Sequence, residues 1–221
     1  HVPVNTLVPA VAPDEAAAIA EGSADVKVKV GDEGDVDRVA AVRNAIGGHA
    51  RLRVDANGAW DVETAVEAIG RLASFDVELV EQPVPTLEEM AAVRRRVPIL
   101  IAADESVRDL DDARRLAALD AADALVVKVQ PLGGMAAALE AAAAARVPVI
   151  VSSMYETSVG LAAGLALAAA LDDLPFACGL GTATLLAADV VAHPLVPVDG
   201  RLAVRRPLPD RALLARYEVS E

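Results

Sequence analysis

Aromatic residues are nearly missing from this 221-residue chain, at 2% (two Phe, two Tyr, one Trp). Hydrophobic residues nevertheless reach 54%, so a core has to be built from Ala, Val and Leu. Alanine-rich helices beside valine-rich strands are the mark of an α/β protein. A single cysteine, Cys178, excludes an internal disulfide and a multi-cysteine zinc site, and it fits a reducing, cytoplasmic setting. Basic residues are also short, 20 Lys and Arg against 33 Asp and Glu, for a net charge of −13. Nucleic acid, which needs a basic face for its phosphates, is therefore an unsuitable partner. No apolar run reaches the roughly 18 to 20 residues a membrane helix needs, and Val159 to Leu171 reads as a buried helix. The start has no signal-peptide pattern, and it opens on His1 rather than Met, which leaves room for residues upstream.

What is present is a ladder of strand ends. Val77 to Glu81 (VELVE) runs apolar residues into one carboxylate, and a Gln82-Pro83 pair then stops the strand. VKVKV ends near Lys29, RLRVD at Asp55, ILIAAD at Asp104, and ALVVKV carries Lys128. The steps are 26 (29 to 55), 26 (55 to 81), 23 (81 to 104) and 24 (104 to 128). Strands are expected at Val2–Leu7, Val26–Val30, Leu52–Asp55, Val77–Glu81, Ile99–Ala102, Ala124–Val129, Val149–Ser152 and Phe176–Cys178. Helices fall between them, from Pro13 to Glu21, Asp32 to Ile46, Asp61 to Leu72, Leu87 to Arg95 and Asp109 to Leu119. Two more run from Gly134 to Ala145 and from Ser158 to Ala170. A hairpin is expected over Val196 to Val204, turning at Asp199-Gly200. Eight alternating units with a polar residue at strand after strand imply a closed, TIM-like (β/α) barrel. An open doubly wound sheet is the competitor, but it places its ligand at one switch point, and no GxGxxG or GxxxxGK[ST] follows any strand. Residues 1–190 are read as the catalytic barrel and 191–221 as a tail packed on it.

In such a barrel Asp55, Glu81 and Asp104 would converge at the mouth within a few ångströms. Three like charges at that distance repel, and a hard divalent cation held by oxygen ligands removes the conflict. The plainer alternative is that each acid pairs with its own arginine or caps a helix. Lys27, Lys29 and Lys128 lie in valine-rich strands, where lysine is rare. A partly desolvated lysine near other cations can serve as a base; otherwise these lysines balance the acids. Arg53 shares a face with Asp55 by period two and could either hold a substrate carboxylate or balance charge. Ser152 and Ser153 open a loop before a helix, where hydroxyls and free N–H groups suit an anion, although a polar loop before an N-cap at Ser158 accounts for them equally.

These residues resemble the enolase superfamily in its muconate-lactonizing branch. The likeness rests on Lys27-x-Lys29, Asp55-Ala-Asn57, Glu81-Gln82-Pro83, Asp104-Glu105-Ser106 and Lys128, and covers about Val2 to Thr184. Within the branch, Arg53-x-Asp55-Ala-Asn57-x-x-Trp60 and Ser152-Ser153-x-x-Glu156-Thr157-Ser158-x-Gly160 are similar to the o-succinylbenzoate synthases of menaquinone biosynthesis. The resemblance implies that Asp55, Glu81 and Asp104 bind Mg²⁺, or Mn²⁺ in its place. It implies that Lys29 removes the α-proton of a small carboxylate substrate, with Lys27 beside it and Lys128 on the opposite face. Arg53, Asn57, Ser152, Ser153 and Gly179 would orient the substrate. The implied reaction is syn dehydration of 2-succinyl-6-hydroxy-2,4-cyclohexadiene-1-carboxylate.

The same lysine pair also suits a racemase of N-succinylamino acids or an epimerase of dipeptides. A third possibility is a barrel that binds metal without catalysis. The family carries an α+β capping domain ahead of the barrel, and that segment is expected to be absent from this sequence. Oligomeric state is not encoded in any of these motifs.

Overall fold

The computed structural model describes residues 1–218. Seven parallel strands lie side by side in chain order: β2 (Thr6–Val8), β3 (Asp25–Lys29), β4 (Arg51–Asp55), β5 (Val77–Glu81), β6 (Leu100–Ala103), β7 (Ala124–Lys128) and β8 (Val149–Ser152). Parallel neighbours need a crossover, and helices supply it: α1 (Pro13–Ala20), α2 (Asp35–Ile46), α3 (Val62–Leu72), α4 (Leu87–Arg94), α5 (Leu110–Leu119), α6 (Met135–Ala145), and α7 (Ser158–Ala170) after β8. Local signals set their ends. Asp61 caps α3 through the N–H of Thr64, Asp109 caps α5 through Asp112, and Thr86 with Glu89 forms a reciprocal capping box on α4.

The sheet curls until its two edges meet. The Gly179 N–H donates to Val151 O (2.9 Å) and the Cys178 N–H to Pro3 O (2.8 Å), while Asn5 N–H donates to Cys178 O (3.0 Å). The eighth stave expected at Phe176–Cys178 is therefore reduced to isolated bridges, Val4 with Cys178 and Ser152 with Gly179. Its neighbourhood explains why: Gly179 approaches so closely that a Cβ there would stand 2.5 Å from Ser152 Oγ.

Other expectations need adjustment. The first strand, read as one piece, is split into β1 (Val2–Pro3) and β2, because β1 turns to pair antiparallel with β9 (Arg201–Leu202). The helix expected from Asp32 starts at Asp35, since Asp32 instead accepts from Gly34 N–H and the Arg38 guanidinium. Ser158 is the first helical residue rather than the N-cap, which is Thr157; Asp189 satisfies the Ser158 N–H. The tail hairpin shrinks to one pair, Val198 with Arg201, around the expected Asp199-Gly200 turn. A short helix, α8 (Arg211–Arg216), capped by Asp210, adds to the elements expected in the tail.

Strand alternation sorts the side chains into two cores. Val28, Leu52, Val54, Val80, Ile101 and Val127 face the helices. Leu79, Ala102, Ala124, Val126, Ile150 and Phe176 form a separate cluster inside the ring. On the β3–β4 side the inward positions are Lys27 and Arg53 instead, both buried.

Candidate active site

At the upper ends of β3, β4, β5, β7 and β8 the inward residue is polar: Lys29, Asp55, Glu81, Lys128 and Ser152. Asp55 pairs across the sheet with both Lys29 and Glu81, so the β3, β4 and β5 ends are level. Lys27 Nζ donates to Asp55 Oδ2 (2.9 Å) and Glu81 Oε1 (2.7 Å). Lys29 Nζ donates to the same Asp55 oxygen (2.7 Å) and to Asn57 Oδ1 (2.6 Å). Across the mouth, Lys128 Nζ donates to Asp104 Oδ2 (2.5 Å). Lys29, Lys128, Asp55 and Asp104 line one cavity of about 600 Å³. Asp104 lies one residue past the end of β6, in the turn before α5.

Burial and charge act in opposite directions here. Burial pulls the Lys27 ammonium down, but Glu81 and Asp55 outweigh it and hold its pKa above the ordinary lysine value. Burial pushes Asp55 up, and Lys27 and Lys29 overcome it, leaving that carboxyl well below the usual range. Glu81 goes the other way. Burial pushes it up to about 8, Lys27 opposes this, and the charges of Asp55 and Asp104 add to the rise.

The three acids supply only oxygen donors at the ends of adjacent strands, and the repulsion felt by Glu81 is what a hard divalent cation would relieve. That donor set fits such an ion. The expected ready-made convergence is not seen, however: among the described residues no three His, Cys, Asp or Glu side chains form a closed ligand cluster. Lysine ammoniums take up part of the carboxylate oxygen surface.

The far wall is hydroxylic. Ser153 Oγ lies 2.9 Å from Thr182 Oγ1, both serines donate to Gly179 O, and Ser152, Ser153 and Gly179 all line the cavity. Asn57 also lines it, and its Nδ2 donates to Glu105 Oε1 (2.8 Å).

Arg53 is the exception among the expected substrate contacts. It does not line the cavity but lies inside the ring, 1% exposed, donating to Ala177 O (2.7 Å) and Asn5 Oδ1 (3.1 Å). Two residues before Asp55 on a strand means the same face but about 7 Å lower, which puts it beneath the mouth. Its burial lowers its pKa, and Nη1 has no hydrogen-bond partner among the described residues.

Glu105 and Thr182 also line the cavity, and neither was given a role from sequence. Glu105 was visible in the DES turn, whereas nothing local marks Thr182, which reaches the site only through ring closure.

A match to known proteins covers the same residues. The family described as enolase C-terminal domain-like matches residues 12–210. This chain belongs to that family. It is 55% identical over 225 residues to the o-succinylbenzoate synthase of Thermobifida fusca, covering 99% of this chain and 71% of that protein. It is 48% identical to the o-succinylbenzoate synthase of Mycolicibacterium smegmatis, covering 100% of this chain and 70% of that one. Among solved structures, a muconate lactonizing enzyme aligns with a TM-score of 0.89 at 28% identity, over 98% of this chain and 65% of its own. A dipeptide epimerase from Enterococcus faecalis aligns at 0.82 and 34%, over 88% and 60%. The enolase-family chain thus spans about two thirds of the length of these relatives.

Proposed function

We propose that this protein catalyses the o-succinylbenzoate synthase reaction in menaquinone biosynthesis. The observation that carries the reading is a pair of lysines, on β3 and β7, facing one cavity that Asp55 and Asp104 also line, with Glu81 buried next to Asp55. Synthase names on relatives at 48% and 55% identity favour this substrate over others.

Asp55, Glu81 and Asp104 would hold Mg²⁺ or Mn²⁺, which supplies Lewis-acid stabilisation of the negative charge that builds on the substrate carboxylate. The chain's own groups do the rest. Lys29 takes the proton α to that carboxylate, and the C–H electron pair moves into the carboxylate. As the pair returns, the β C–O bond breaks, and Lys29 gives its proton to the departing hydroxide, releasing water on the face from which the proton came. Lys128, from the other face, offsets the developing charge. Lys27 stays charged and holds Asp55 and Glu81 in place. Ser152, Ser153 and Gly179 orient the succinyl arm, and Asn57 steadies Lys29. The work would be done in the cytoplasm; among the described residues no helix is long and apolar enough to cross a membrane.

Epimerases among the structural neighbours favour one second reading, proton exchange at an α-carbon with Lys29 and Lys128 working alternately. The deciding experiment is turnover of the cyclohexadiene carboxylate and of an N-succinylamino acid with Mg²⁺, each with and without EDTA. EDTA-sensitive formation of o-succinylbenzoate supports the synthase. Racemisation without dehydration replaces it with the second reading.

A further inference from the structure

We infer that Gln82 is the positioning residue that sets the spacing of the three strand-end acids, an inference resting on the reading that those acids hold a divalent cation. By sequence, Gln82 stops the strand before Pro83 and belongs to the Glu81-Gln82-Pro83 motif, with no role of its own. In the structure its exposure is 0%, and it adopts φ +39°, a left-handed backbone that glutamine seldom takes. Such a conformation at a buried polar residue persists only when its surroundings hold it.

The side-chain oxygen and both backbone groups of Gln82 engage the segments bearing Asp104 and Asp55. Its side-chain Oε1 accepts from Asp104 N–H (2.7 Å), Ser106 N–H (3.3 Å) and Ser106 Oγ (3.1 Å). Its Nε2 donates to Val84 O (2.7 Å), which fixes the amide so that oxygen, not nitrogen, faces the Asp104 turn. Its backbone N–H donates to Ala102 O (2.8 Å), and its backbone O accepts from Gly58 N–H (2.6 Å), just past Asp55-Ala56-Asn57. Gln82 itself follows Glu81 in the chain. One residue therefore joins the ends of β4, β5 and β6, and Asp104 in particular lies beyond its strand, where no sheet pairing fixes it.

Residues that orient metal ligands without touching the metal alter affinity roughly 10- to 100-fold when removed. Mn²⁺ binding, followed by the loss of the free-ion EPR signal, tests the assignment on the purified protein. Gln82→Met keeps the length and removes both polar ends; it is expected to bind Mn²⁺ about 10- to 100-fold more weakly than wild type at an unchanged far-UV circular dichroism spectrum. Ile69→Ala, in the outer core, is expected to lower the melting temperature without moving Mn²⁺ affinity, which separates positioning from general loosening. Wild-type affinity in Gln82→Met, alongside loss of affinity in Asp104→Asn, overturns the role of Gln82 alone. Absence of Mn²⁺ binding by wild type, or wild-type affinity in Asp104→Asn, overturns the cation site and this inference with it. Should Gln82→Met fail to fold, Gln82→Asn decides. It keeps both polar groups but draws the oxygen back from Asp104, so at least about tenfold weaker binding supports the role, and wild-type affinity overturns it.

Discussion

The inside of the ring has two unlike halves. Below Asp104, Lys128 and Ser152 the inward side chains are Ala102, Val126 and Ile150, closed off by Phe176. Below Lys29 and Asp55 they are Lys27 and Arg53, with Asn5 against them. The apolar half is stabilised by burial, and changes of side-chain volume there are felt directly. The charged half is stabilised by hydrogen bonds and loses more when one partner is removed, because its remaining polar groups stay buried. Three ion pairs on the charged side converge on Lys27, Lys29, Asp55 and Glu81, whereas Lys128 and Asp104 form a single pair opposite. The difference assigns positioning of charge to one side and mechanical support to the other.

The largest break in that contrast comes from Lys29→Ala. Turnover measured at saturating Mg²⁺ is expected to fall by about 10³-fold or more while Mn²⁺ binding persists; survival of the rate would remove Lys29 as the base. On the apolar side, Ile150→Ala is expected to cost about 2–4 kcal/mol in urea unfolding, with kcat far less affected. A loss of catalysis larger than the loss of stability would show that the halves are not independent.

The third prediction sharpens the contrast through pH. Because burial holds Glu81 protonated up to about 8, a proton competes with any cation there. Mn²⁺ affinity is expected to weaken as pH falls below 8, approaching about tenfold per unit. The sign for metal-free stability is opposite to that of Asp55. Glu81, with its pKa raised on folding, makes the fold less stable as pH rises from the ordinary glutamate range towards 8. A flat binding profile between pH 8.5 and 6.5 would contradict the burial argument. The smallest effect is expected at Arg53→Met, about 1–2 kcal/mol in unfolding: Asn5 and Ala177 O lose a donor, but a desolvated charge with an unpartnered Nη1 is also removed. A collapse of kcat/KM with Mn²⁺ binding intact would restore Arg53 as a substrate contact.

The strand ladder was legible because period-two alternation and about 25-residue spacing are local properties. Val77–Glu81 and Val149–Ser152 coincide with β5 and β8 to the residue. Lys29, Asp55, Glu81 and Lys128 stood out for the same reason, each being the last residue of its strand, with Asp104 one residue beyond β6. Depth along the strand could not be judged so easily, and Arg53 lies on the expected face one layer below the mouth. Nor could the hydrogen bonds of Gln82, since these depend on how three loops meet rather than on any spacing. The lysine–carboxylate pairing corresponds to the plainer of the two readings of the lysines, in which they balance the acids: Lys27 and Lys29 both reach Asp55 Oδ2.

The seam at Cys178 and Gly179 gives the ring a clasp rather than a weld. One residue pair on each side joins it, against five between β3 and β4. Opening there would break the fewest ladder pairs, and it would displace Gly179, Ser153 and Thr182 before the acids and lysines of β3 to β6. The wall proposed to orient the substrate's succinyl arm can thus be reshaped without disturbing the wall proposed to handle the proton. A barrel built this way can change what it accepts before it changes what it does.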